Sequence, residues 1–186
     1  RLKARATAIH SLEGGRASYT TNRGMYERRA AISAHVTRYD IDYGTKEEVL
    51  VTTGAGEAVD LALRAIVVPG DAVAIQSPAY ISYGPGVRFS GGDPLPVSTR
   101  AENDFVLTYD DLERAGAAAA EALMPCYPNN PTGATATADD PAEIATVARE
   151  PDLTVLSDDI YARLTYDGDH TSIATLPGMR ALTLAF

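Results

Sequence analysis

Six short runs rich in apolar residues recur along the chain: Glu48–Thr52, Ala72–Gln76, Leu95–Ser98, Ala122–Cys126, Leu153–Leu156 and Ala181–Phe186. Runs of this length are enough for a buried strand and too short for a helix. Between most of them lie segments with helical spacing. Residues 24–39 put Ile32, Val36 and Tyr39 on one face, and the stretch after Gly54 does the same with Val59, Ala62, Leu63 and Ile66. Thr108–Gly116 carries a capping threonine and Asp111 in its first turn, and Ala138–Arg149 reads as a further helix. Residues 79–90 have a helical pattern broken by Gly84, Pro85 and Gly86, and the alanine-rich stretch 115–122 reads as a helix end. Short strands alternating with helices predict an α/β domain, in three αβα layers around a mainly parallel sheet. Ligands in such sheets sit beyond the carboxyl ends of the strands. Those ends therefore carry the functional argument.

The bulk properties exclude several classes. At 186 residues the chain is expected to form one domain with a real core. Its net charge of −9 argues against nucleic acid or an anionic membrane as partner. No apolar stretch approaches the ~20 residues of a membrane-spanning helix, and no signal-peptide pattern opens the chain. A lone Cys126 excludes an internal disulfide and suits a reducing compartment, so a cytoplasmic location is expected. The opening R-L-K-A-R-A lacks an initiator Met and runs straight into helix-like sequence, as expected of a chain cut from a longer protein.

Four strand ends are unusual. Thr52-Thr53-Gly54-Ala55-Gly56-Glu57-Ala58 takes a strand through glycines to a helix N-terminus, where exposed N–H groups and the helix dipole suit a phosphate. A tight turn needing glycine for backbone reasons alone reads equally well. It is not a P-loop, since no Gly-Lys-Ser/Thr follows. It also fails the dinucleotide fingerprint, with Val59 at the third glycine and Gln76 where a ribose-binding acid belongs. Ser77-Pro78-Ala79-Tyr80 places an aromatic ring after the second strand, either over a flat ligand or in an exposed turn. At M-P-C-Y-P-N-N-P-T-G-A (124–134), the proline after Asn130 pushes that residue toward extended backbone, holding its amide at a strand mouth. Ser157-Asp158-Asp159-Ile160-Tyr161 ends a strand in carboxylates, which serve as a helix cap or as a cation partner; a buried Asp158 would be costly without one.

Taken together, Y-P-N-N-P-T-G, S-D-D-I-Y and the upstream G-A-G-E-A closely resemble the class I/II aminotransferases, pyridoxal-phosphate enzymes of fold type I. The resemblance runs in order from Ser18–Gly24 through V-P-G-D-A-V and F-S-G-G-D-P-L-P-V to Tyr166-Asp167-Gly168 and Leu176–Met179. It implies that residues 1–186 are a partial cofactor-binding large domain, with the N-terminal arm and C-terminal small domain outside them. It also implies pyridoxal 5'-phosphate as cofactor, an amino acid and a 2-oxo acid as substrates, and a homodimer. In that reading Asp158 pairs with the protonated pyridine nitrogen, while Tyr161 and Asn130 hydrogen-bond the ring 3-oxygen, Asn130 also helping to hold the substrate carboxylate. Tyr80 stacks on the ring, the Gly54, Ala55, Gly56 turn takes the phosphate, and Tyr19 reaches the phosphate in the neighbouring subunit. The resemblance further implies cis peptides at Asn130–Pro131 and Ser77–Pro78.

Three departures from the family pattern stand out. Arg28-Arg29 replaces the usual Leu-Arg, putting a charge where packing is expected, and Asp159 replaces the usual Glu. In relatives the Schiff-base lysine follows a few residues beyond the position of Phe186; here the lysines are Lys3 and Lys46, and neither matches. The isolated chain is therefore expected to be inactive. Two alternatives stay open: a non-catalytic shortened protein of the same fold, or a pyridoxal-phosphate lyase sharing these motifs.

Overall fold

The computed structural model describes residues 2–15, 18–137, 139–149 and 153–186. Contacts divide the chain into a smaller unit, Arg1–His35 with Asp42–Val51, and a larger one, Val36–Ile41 with Thr52–Phe186.

In the smaller unit, α1 (Leu2–Glu13) buries none of its residues. The second helix, α2 (Tyr26–Val36), buries Arg29. The Arg29 guanidinium donates to the carbonyls of Thr45 (2.8 Å) and Lys46 (2.9 Å) and lies 5.7 Å from the centre of the Tyr26 ring. Arg28 is exposed, so its charge carries no desolvation penalty. Gly24 (φ +87°) passes so close to Val51 that a Cβ would stand 2.7 Å from the valine Cβ, which is why only glycine fits there. The strand expected at Glu48–Thr52 does not form. A strand needs a ladder partner, and the Val51 N–H instead donates to the Arg23 carbonyl at 3.1 Å. Val49 is buried but Leu50 is half exposed, so the apolar run reflects local packing. The helix expected over 24–39 ends in a 3-10 turn at Thr37–Tyr39, closed by Asp40 in the left-handed region.

The larger unit is a five-stranded parallel sheet in the order β2-β1-β3-β4-β5. Its elements run α3 (Ala55–Ile66), β1 (Ala72–Ser77), α4 (Tyr83–Phe89), β2 (Asp93–Ser98), α5 (Tyr109–Ala115), β3 (Ala122–Met124), α6 (Asp140–Arg149), β4 (Thr154–Ser157) and β5 (Thr183–Ala185). Ala138, the expected first residue of α6, lies outside the described residues. The broken helical pattern at 79–90 resolves into turns followed by the short α4, with Pro85 in its first turn, where a missing N–H costs nothing. Pro94 and Pro96 confine β2 to an edge, since proline cannot donate to two neighbours.

Successive residues of each strand face opposite layers. Val73, Ile75, Ala122, Met124 and Leu156 pack with Val59, Leu63 and Val87 of α3 and α4. Ala74, Leu123 and Val155 pack with Leu112 of α5 and Ile144 and Ala148 of α6. These are the three expected layers.

Helix α5 shows how local signals fix an element. Thr108 and Asp111 form a reciprocal capping box, and Gly116 (φ +71°) closes the other end. Asp111 also accepts from Arg114 (3.0 Å) and lies 3.4 Å from Arg100. Burial pushes its carboxyl up, but the hydrogen bonds from Thr108 and Arg114 and the charge of Arg100 outweigh burial and hold it below the ordinary range. A group depressed in the folded state stabilises above its unfolded value and loses that contribution as pH falls through the folded one. Asp111→Asn is therefore expected to lower the urea midpoint above about pH 4 and to flatten its decline in acid. An unchanged acid limb would show that the network contributes nothing.

Candidate active site

The carboxyl ends of β1, β3 and β4 open into a cavity of about 560 Å³. Of the residues singled out from the sequence, Ala55, Gly56, Tyr80, Asn130, Asp158 and Tyr161 line it. They arrive from four chain segments. Tyr19 belongs to the smaller unit and is fully exposed.

Asp158 sits just past β4, bridged to Cys126 on the extension of β3, with its N–H donating to the Pro125 carbonyl at 3.0 Å. Its carboxylate is buried, and among the described residues no cation pairs with it. Two donors stabilise it instead: the Ile160 N–H reaches Oδ1 at 3.2 Å, and the Tyr83 hydroxyl makes a short hydrogen bond to Oδ2. Burial first, and then that bond, push the Tyr83 phenol far up, so it remains a donor. Sequence reasoning missed Tyr83; the available signal was its place three residues after Tyr80, one turn on.

The two asparagines have different tasks. Asn129 is buried and structural: its amide donates to the Pro78 carbonyl at 3.3 Å and its Oδ1 accepts from the Thr132 N–H (3.2 Å) and hydroxyl (2.9 Å). This ties the loop after β3 to the loop after β1. The side chain of Asn130 makes no hydrogen bond among the described residues and faces the cavity. Together with Tyr161 it also lines a second cavity of about 520 Å³, walled by Pro128, Leu164 and Tyr166. Ser77–Pro78 and Asn130–Pro131 are cis as expected, and Tyr127–Pro128 is a third cis bond that the sequence did not reveal.

Gly54 (φ +90°) caps α3 without any side-chain partner, and a Cβ at Gly54 or Gly56 would meet nothing within 4 Å. The first N–H groups of α3 lack intrahelical partners by geometry. Glu57 folds back to the Thr53 N–H in a short hydrogen bond, leaving the turn before Ala55 and Gly56 firmly shaped. Tyr80 is 42% exposed and meets the Tyr83 ring edge-on at 5.6 Å.

Other conspicuous residues support the site from outside. Gln76, where a ribose-binding acid was sought, is buried; its Oε1 accepts from the Cys126 N–H at 3.2 Å and its amide donates to the Tyr127 hydroxyl at 3.3 Å. Asp159 accepts from the hydroxyls of Ser157 (2.9 Å) and Ser172 (2.7 Å) and lies 3.6 Å from His170, so it pins the following loop. Burial, and next the Asp158 charge, push the Cys126 thiol up to about 11, leaving it neutral beneath the site.

Residues 2–184 match the family model for aminotransferases of class I and II. YugH of Bacillus subtilis is 44% identical over 181 residues, 97% of this chain and 47% of YugH. Aromatic-amino-acid aminotransferase 2 of Thermococcus litoralis is 37% identical over 179 residues, 95% of this chain and 46% of that protein. The crystal structure of an aromatic aminotransferase from Pyrococcus horikoshii superposes with a TM-score of 0.94 at 37% identity, covering 97% of this chain and 49% of that one. The chain thus spans about half the length of the curated relatives it matches.

Proposed function

Since this chain belongs to the class I and II aminotransferase family, we propose that it forms the cofactor-facing part of a pyridoxal-phosphate enzyme that moves an amino group between an amino acid and a 2-oxo acid. One observation carries the reading. Among the described residues, a buried carboxylate with no cation and a side-chain amide with no hydrogen-bond partner converge on one cavity with a tyrosine and a helix N-terminus that lacks a side-chain cap. Each wants what the cofactor has: a cationic ring N–H, a ring oxygen and a phosphate. The donor set fits the group.

Bound there, pyridoxal phosphate would supply an aldehyde to receive the amino group and a cationic ring to draw electrons from the substrate Cα. The protein residues do the rest. Asp158 holds the proton on the ring nitrogen, because its anion has no other cation among the described residues. Asn130 and Tyr161 orient the ring through its oxygen. Tyr80 covers one face and excludes water. The N–H groups of Ala55 and Gly56 hold the phosphate, and among the described residues lining the cavity none is basic. The second cavity, sharing Asn130 and Tyr161, supports placing the amino acid there. Moving the Cα proton requires an amine base, and both lysines of the chain, Lys3 and Lys46, belong to the smaller unit. Cytoplasmic location and homodimeric assembly, with Tyr19 serving the neighbouring subunit, complete the proposal.

Equilibrium dialysis tests it. The chain is expected to bind one pyridoxal phosphate saturably, and unphosphorylated pyridoxal at least tenfold more weakly, about the value of the charge-assisted hydrogen bonds lost. Non-saturable binding, or equal affinity for the two, would remove the assignment.

A further inference from the structure

Asp158 depends on one side chain for its orientation. Tyr83 opens α4, is 2% exposed, and is packed in the apolar layer with Val59, Leu63 and Met124. Its hydroxyl donates to Asp158 Oδ2, and its ring edge supports Tyr80 at 5.6 Å and 76°. The second carboxylate oxygen receives a backbone N–H from Ile160. A carboxylate offers about four lone-pair directions, so two donors fix its rotation and leave the others toward the cavity. The Ile160 N–H alone would leave rotation about the Cβ–Cγ bond free to swing Oδ2.

We propose that Tyr83 is a positioning residue: it holds the Asp158 carboxylate so that its open lone pairs meet a cationic ring nitrogen bound in the cavity. This rests on the cofactor reading above and assigns a role to a residue outside the motifs. The role is specific to the nitrogen, and a general packing role would not be. Phenylalanine at 83 keeps the ring, its packing and its edge contact with Tyr80, and removes the hydroxyl alone.

The experiment compares dissociation constants of pyridoxal phosphate and of its carbocyclic analogue, in which C–H replaces the ring nitrogen, for the 186-residue chain. The unaltered chain is expected to prefer the nitrogen-bearing ligand. Tyr83→Phe is expected to lose about tenfold of that preference, the value of one hydrogen bond to a charged group, while its affinity for the analogue stays the same. Equal weakening toward both ligands, or an undiminished preference, would overturn the role of Tyr83 and leave the cofactor site standing. Absence of any preference in the unaltered chain would overturn the cofactor reading and this inference with it. Should Tyr83→Phe fail to fold, ring-fluorinated tyrosines at position 83 keep the hydroxyl and the shape. The preference must then change with the acidity of the phenol, and a constant value across the series overturns the proposal.

Discussion

Incubated with pyridoxal phosphate and an amino donor, the 186-residue chain is expected to release no oxo acid and, after borohydride reduction, to carry no pyridoxyl group on any one lysine. The reason is chemical. In the proposed site, docking uses Asp158, Asn130, Tyr161, Tyr80 and the Gly54–Gly56 turn, and all belong to the larger unit. Covalent capture needs an amine beside the aldehyde, and among the described residues none that lines the cavity supplies one. Without a positioned base the proton shift at Cα also forgoes about 10²–10⁴-fold in rate, beyond the lost covalent handle. Mass spectrometry of the reduced peptides reads the outcome directly. A specific pyridoxyl adduct at Lys3 or Lys46, together with turnover, would mean that one of them substitutes for the missing amine.

In a longer form of this protein that transaminates, Asp158→Asn is expected to lower kcat by about 10²–10³-fold, the range for removing one preorganised electrostatic group. The substitution keeps the shape and one oxygen for the Ile160 N–H, while the Tyr83 hydroxyl, facing the other position, can accept from the amide instead of donating. What it removes is the negative charge, buried where water cannot replace it. The urea midpoint of the variant provides the control for folding. A folded Asp158→Asn enzyme working at a near-normal rate would show that Asp158 does not hold the ring proton.

The parts of this protein legible in the sequence are those decided over a few residues. Five of the six expected strands appear, because each apolar run finds a parallel neighbour and alternates its side chains between two helical layers. Thr108, Asp111 and Gly116 bound α5 through contacts inside a single turn at each end. Asn130 and Asp158 could be singled out because a proline and a strand end restrict their own backbones. The failures share a cause. Glu48–Thr52 has a strand's composition, yet a strand is a relation between two segments, and the Val51 N–H is taken by Arg23. Likewise the sequence could not say what holds the buried Asp158 carboxylate in place: the fold brings a phenol from α4, 75 residues earlier.

Composition, strand spacing and motif order therefore determined the class of fold, the family and most of the singled-out groups that line the cavity. Tertiary structure alone decided what the adjacent Asn129 does, since its amide donates to the Pro78 carbonyl and its Oδ1 accepts from Thr132. It also decided that Gln76 and Asp159 support the loops from behind, and that Tyr83 stands under Asp158. The physical reason is range. Propensity, capping and apolar periodicity act within a turn or a strand, whereas a buried hydrogen bond is made by whichever distant group the packed layers deliver within about 3 Å.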